Sequence, residues 1–264
     1  MITMSKVKEL SNFELYASKL CPVFGTISII SFVYYGSMIS FFALIVSFIT
    51  FFSYFAVRNL ILNILTKYPE EKQKFVNTNT KRQMYIVKNL IKSTYLFILS
   101  FLTVKIFYDT LNNNIDINFI KICAIIYTIN DMFGLILSDL PLTTIFHHSM
   151  TSLMCHVVLL KNDSELDYRI LIVIYATFSS LSYIVNFYLG SRLIPPVKTW
   201  KYKSRLSYIS FLVYVITSFI NWFVQFYMII TLISVPYLYF VFLFVVIRDD
   251  IILMQWLYKD SFSS

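Results

Sequence analysis

His147 and His148 stand side by side in LPLTTIFHHSMTSLMCHVVLL, and they are the residues of this chain best suited to moving a proton near neutral pH. Asp131, one predicted helix earlier, is the carboxylate that would orient or polarise such an imidazole, giving a general base with its positioning acid. All three lie in long apolar surroundings, where an ionisable group marks function by default. His147, His148 and Asp131 are therefore the candidate catalytic residues. His156, at the edge of the same helical stripe, reads as a packing histidine. A metal centre would need three or four convergent ligands, drawn here from His147, Asp131 and Cys155. Adjacent histidines project about 100° apart on a helix and rarely serve one ion. No metal or other cofactor is expected.

Polar residues share faces on four predicted helices at about 100° per residue. Thr144, His147, His148, Thr151, Ser152 and Cys155 share one; Tyr127, Asn130, Asp131, Gly134 and Ser138 a second. A third holds Ser179, Ser182, Tyr183, Asn186 and Gly190, and a fourth Ser207, Ser210, Tyr214, Thr217, Ser218, Asn221 and Gln225. Two readings stand: hydrogen-bonding glue between transmembrane helices, or the lining of a common cavity. On the second, Thr151, Ser152, Tyr183, Asn186, Asn221 and Gln225 are the candidate lipid-cavity residues.

The elements holding these groups must be membrane helices. Of 264 residues 58% are hydrophobic and 14% charged, where a soluble domain carries about 25% charged residues. Four glycines, no two close together, exclude phosphate-cradling loops, and Cys21, Cys123 and Cys155 are too far apart for a CxxC motif. The net charge of +8 is read as topology, with no nucleic-acid partner, because it collects beside apolar spans.

A crossing needs about 20 apolar residues. Such stretches fall near 37–57, 90–108, 118–138, 142–160, 169–189, 206–229 and 236–257, with a shorter piece from Pro22 to Tyr35 that spans or lies at the interface. All six prolines are placed at helix ends or loops. Arg58–Lys92 carries eight Lys/Arg and Arg192–Arg205 five, so both segments and the C-terminus are expected in the cytosol. The sequon Asn162-Asp163-Ser164 falls on the other side, too near the membrane to be used. No cleavable signal peptide is expected. Residues 66–84 form the main polar connector. Arg248-Asp249-Asp250 either lies at depth in a helix running on to Leu257 or caps one ending at Ile247. Trp200 and Trp256 read as interfacial anchors.

The ordered set Asp131, His147-His148, Tyr183-Ile-Val-Asn186, Arg192 and Gln255-Trp256 resembles the TLC-domain family of multi-pass membrane proteins, over about residues 80–258. The resemblance implies a six-helix bundle around a lipid-sized cavity with one or two helices before it. The expected fold is thus an all-α integral membrane protein of seven or eight transmembrane helices. Its expected parts are an N-terminal region over 1–79, the six-helix domain over 80–258, and a short tail over 259–264. His147-His148-Ser149-Met150-Thr151 is similar to the HHxxT opening of the ceramide synthase signature. Ceramide synthases continue with further carboxylates, whereas Tyr168 to Gly190 contains none, and Ser179 stands where other members often carry Glu.

The function expected from this is to bind, sense or help distribute membrane lipids through the His/Asp cavity. The alternative is a lipid N-acyltransferase using acyl-CoA as substrate, with His147 or His148 as base. Membrane lipids are the expected partners, and an endomembrane such as the endoplasmic reticulum the expected location.

Overall fold

The structure is a computed structural model that describes residues 12–32, 37–112, 114, 116–160, 168–194, 203–231 and 235–262. Among them every regular element is helical: α1 Asn12–Ser31, α2 Ser37–Ile64, α3 Pro69–Val76, α4 Thr80–Leu111, α5 Ile117–Leu137, α6 Leu142–Leu159, α7 Tyr168–Ser180, α8 Tyr183–Ser191, α9 Lys203–Thr231 and α10 Tyr237–Phe262. Gly36, the sequon at Asn162, Pro195, Pro196 and Trp200 lie outside the described residues.

Four helices, α2, α4, α5 and α9, are long and apolar enough to cross a membrane, and α7 with α8 makes a fifth if that bent pair is one span. Their outward faces carry apolar side chains that water would not tolerate: Phe41, Phe48 and Phe52 on α2, Phe97, Phe101 and Val104 on α4, Phe219, Phe223 and Phe226 on α9. Spacings of three, four and seven residues keep each set on one face. An all-α protein built to be solvated by lipid follows.

Six members close a ring. α4 packs on α5, α5 on α6, α6 on α10, α10 on α9, α9 on both α7 and α8, and these return to α4. α1 and α2 lie outside that ring against α5. Gly25 lets α1 approach α5 closely, since a Cβ there would stand 2.8 Å from the Met132 carbonyl oxygen. On the other side Gly190 brings α8 against Leu90 and Ile86 of α4.

The ends are set by local chemistry. Asp116 caps α5 by accepting from the Asn118 and Phe119 amides at 3.1 Å. Pro69 opens α3, and Pro141 and Pro236 stand immediately before α6 and α10. Pro22 departs from the expectation for prolines, because it lies inside α1, which begins a full ten residues earlier at Asn12. The connector over 66–84 is mostly helical rather than loose. Phe75 of α3 is buried, and the Gln83 amide donates to the carbonyls of Phe75, Val76 and Thr78 that α3 leaves open. Arg58 holds Gln83 in turn, donating to its Oε1 at 2.9 Å.

Two further expectations change. The stretch 169–189 is broken at Leu181-Ser182, where α7 and α8 meet at 52°. Thr177 and Ser180 hydroxyls donate to main-chain carbonyls of their own helix just before the break, a local competition that bends helices. The expected span near 90–108 begins a decade earlier, at Thr80. α10 runs unbroken through Arg248-Asp249-Asp250, which places the triplet within a helix and not at its end.

Candidate functional site

The ring encloses a cavity of about 330 Å³. Its walls come from one half of every helix: Tyr85 to Leu96 of α4, Tyr127 and Asp131 of α5, Thr143 to His148 of α6, Ser179 to Arg192 of α7 and α8, Tyr214 of α9 and Asp249 to Trp256 of α10. In each case this is the half nearest the basic segments Arg58–Lys92 and Arg192–Arg205.

α4 contributes a stripe at helical spacing, Tyr85, Lys88, Asn89, Lys92 and Leu96. Lys88 and Lys92 are both buried. Lys92 Nζ lies 2.6 Å from Asp131 Oδ2 and donates to the Tyr127 carbonyl at 2.5 Å, with the ammonium 4.0 Å from the Tyr127 ring centre. Lys88 Nζ is 4.0 Å from the other Asp131 oxygen and 2.7 Å from His148 Nε2. A buried carboxylate is tolerable in this setting only because cations converge on it. Gly134 makes room for the lysine stem, since a Cβ there would touch Lys88 Cε at 3.0 Å.

The adjacent histidines diverge as helix geometry requires, their rings nearly perpendicular at 87°. Each meets a carboxylate of a different neighbouring helix. His148 Nδ1 lies 3.4 Å from Asp131 Oδ2 on α5, and His147 Nδ1 lies 3.1 Å from Asp249 Oδ2 on α10. Asp250, the next residue, is buried and accepts from the hydroxyls of Tyr175 and Tyr214 at 2.6 Å and from Trp222 Nε1 at 3.3 Å. Arg192, at the end of α8, stacks its guanidinium 3.9 Å over the Trp256 ring, and its Nε has no hydrogen-bond partner among the described residues.

Of the candidate catalytic and lipid-cavity residues, His147, His148, Asp131 and Asn186 line this chamber, joined by Tyr127, Thr144, Ser179, Ser182 and Tyr214 of the polar faces. The others are placed elsewhere. Thr151 donates to the His147 carbonyl and lines a separate apolar slot of about 40 Å³ in the opposite half of the ring, together with Leu99, Cys155, Val173 and Phe242. Ser152 is fully buried, and its hydroxyl has no hydrogen-bond partner among the described residues. Tyr183 packs edge-on against Phe97. Asn221 borders a minor crevice shared with Tyr214 and Asp250. Gln225 ties three helices, donating to the Leu171 carbonyl and Asn221 and accepting from Tyr239. Gln225 is thus interhelical glue rather than chamber wall. Asn130 has the same role, joined to Tyr54 of α2 and to the Lys88 carbonyl. His156 stacks on Phe32, just beyond α1, and meets the Ser31 hydroxyl, as a packing histidine does.

Lys88 and Lys92 are the chamber residues the sequence reading did not reach, whereas Asp249 and Asp250 take the at-depth alternative open to their triplet and face the cavity. The two lysines were counted among loop charges, although their i, i+4 spacing inside YIVKNLIKSTYLF is itself a helical signal. Trp256, read as an interfacial anchor, lies under Arg192 in the chamber. Gln255 beside it is exposed. Cys155 does not join the histidines, since its thiol faces the Ala124 carbonyl at 3.5 Å. Among the described residues no three His, Cys, Asp or Glu side chains are placed to hold a metal ion.

Tyr127 lines both the chamber and the slot, and Tyr175 joins the slot to the crevice at Asp250. Hydrogen bonds from Tyr127 to Ser179 at 2.8 Å and from Tyr175 to Asp250 fix this partition. The arrangement can therefore hold a charged group among the lysines, histidines and carboxylates, with apolar surface immediately beyond. Comparison with known protein families, with curated proteins and with solved structures finds no match for this chain.

Proposed function

We propose that this protein is a TLC-type multi-pass membrane protein that binds, senses or helps distribute membrane lipids, with the lipid head group held in the chamber around Asp131, His147 and His148. A single observation carries the reading: two lysines, an arginine, three aspartates and two histidines of a lipid-facing bundle line one chamber, and apolar space adjoins it across Tyr127. An amphiphile has that division of chemistry. Burying so many charges costs stability, which favours a ligand-related reason for keeping them. In this reading the six ring members and α2 span, α1 is the eighth span or lies at the interface, and the basic end with the C-terminus faces the cytosol of an endomembrane.

Photo-crosslinking tests it. Lipids carrying a diazirine in the acyl chain should label peptides of α4, α6 and α10 in the purified full chain; labelling confined to the outer faces of α2 and α9 overturns the reading.

A second reading, acyl-CoA-dependent lipid N-acylation, is favoured by the His147–Asp249 contact. The helix after the histidines carries no carboxylate, and Asp249 of α10 lies 3.1 Å from His147. His147, oriented by Asp249, would take the proton of an amine as its nitrogen attacks the acyl-CoA thioester, and return it to the CoA thiolate that leaves as the C–S bond breaks. Incorporation of labelled acyl groups from acyl-CoA into lipid, abolished by His147→Ala, is the expected result if this holds.

A further inference from the structure

The charges of the chamber are sorted by wall, and the sorting specifies a ligand. On one side α4, α5 and the end of α8 hold Lys88, Lys92, Arg192 and Asp131. Asp131 is matched by Lys92 at 2.6 Å, which leaves Lys88, 4.0 Å from the carboxylate, and Arg192 as the cations in excess. On the other side α10 holds Asp249 and Asp250, and neither is within 4.0 Å of a lysine or arginine among the described residues. Asp250 is stabilised by three neutral donors. Asp249 meets His147 and the Thr143 hydroxyl, and its side chain remains partly open at 16% exposure. His147 and His148, on α6 between α5 and α10 in the ring, separate the two walls.

A chamber with more cations than carboxylates on one wall, and on the other two carboxylates without a lysine or arginine partner, is poorly matched to an anion, a cation or a neutral molecule. An anionic ligand would be repelled by Asp249 and Asp250, and a cationic one by Lys88 and Arg192. Resting on the lipid-binding reading above, we propose that the ligand is a zwitterionic amphiphile, whose phosphate sits between Lys88 and Arg192 and whose primary ammonium sits against Asp249. The planar guanidinium of Arg192 is fixed on Trp256 with Nε unused, a donor arrangement that suits phosphate oxygens. The open face of the Asp249 carboxylate suits an N–H donor, which a quaternary ammonium lacks.

The test uses the purified full chain in detergent and native mass spectrometry with four added lipids of matched acyl chains. They are phosphatidylethanolamine with both charges, phosphatidic acid with the anion alone, a long-chain primary amine with the cation alone, and phosphatidylcholine with no N–H donor. At least a tenfold preference for phosphatidylethanolamine over the other three is expected. Asp249→Asn should erase its advantage over phosphatidic acid, and Lys88→Gln its advantage over the amine. Equal binding of phosphatidic acid and phosphatidylethanolamine overturns the zwitterion while leaving lipid binding in place. Equal binding of phosphatidylcholine overturns the ammonium contact. Binding of none of the four overturns the lipid reading itself. If a variant fails to fold, the four-lipid comparison on the unaltered chain still decides.

Discussion

Asp131 is the residue whose surroundings set the tightest constraint, because a carboxylate with 1% exposure survives only while Lys92 and Lys88 face it. Removing one member of a buried pair costs about 3–5 kcal/mol, whereas replacing both with apolar groups is often neutral. Lys92→Met is expected to lower the thermal midpoint in detergent, somewhat less than that range implies because Lys88 remains. Lys92→Met combined with Asp131→Leu should recover most of the loss. A single variant as stable as the parent would mean that Asp131 does not depend on Lys92. Tyr127→Phe, which deletes only the hydroxyl donating to Ser179, should cost about 0.5–1.5 kcal/mol in the same assay. It should also loosen the partition to the apolar slot, read as crosslinking that reaches α7.

The glycines at helix crossings separate effects on packing from effects on the site. Gly25→Ala would put a Cβ 2.8 Å from the Met132 carbonyl oxygen, a backbone atom that cannot step aside without moving α1 off α5. A loss of about 1–3 kcal/mol is expected, as for other overpacked contacts. Gly134→Ala meets only the flexible stem of Lys88, at 3.0 Å. Stability should fall less than for Gly25→Ala, because Lys92 still faces Asp131 at 2.6 Å, while lipid crosslinking falls because Lys88 is pushed from His148 and Asp131. Equal destabilisation by both substitutions, measured by thermal unfolding, would contradict that distinction. The bend between α7 and α8 belongs to the same scale, since it turns Ser179 and Ser182 toward the chamber, where Ser182 bonds Thr217 at 2.7 Å.

For the whole molecule, the decisive property is polarity along the bundle axis. The chamber occupies the half near the basic segments and the apolar slot the other half. α4, 32 residues long, separates Lys74 from Asn112 by about 48 Å of helix. The native cysteines Cys21, Cys123 and Cys155 are buried, so introduced cysteines report cleanly. In sealed vesicles Lys74→Cys and Asn112→Cys should react with an impermeant maleimide from opposite sides, and Lys74→Cys from the cytosolic side. Reaction of both from one side would overturn the spanning role of α4.

Membrane class, the placement of most helices and the inward face of His147, His148 and Asp131 were legible in the amino-acid sequence, because hydropathy and helical phase are properties of single segments. Asn186 followed from its stripe in the same way. Lys88 and Lys92 were not legible as chamber residues, since a lysine near a helix end has the same composition whether it faces water or a buried carboxylate. The partner of His147 could not be read either: Asp249 lies about a hundred residues away in sequence, and only the packing of α10 on α6 brings the two together. The polar stripes fixed which face of each helix turns inward. Whether such a face becomes glue, as at Gln225, or cavity, as at Asp131, depends on how far apart the opposing helices stand, and that distance belongs to the tertiary structure alone.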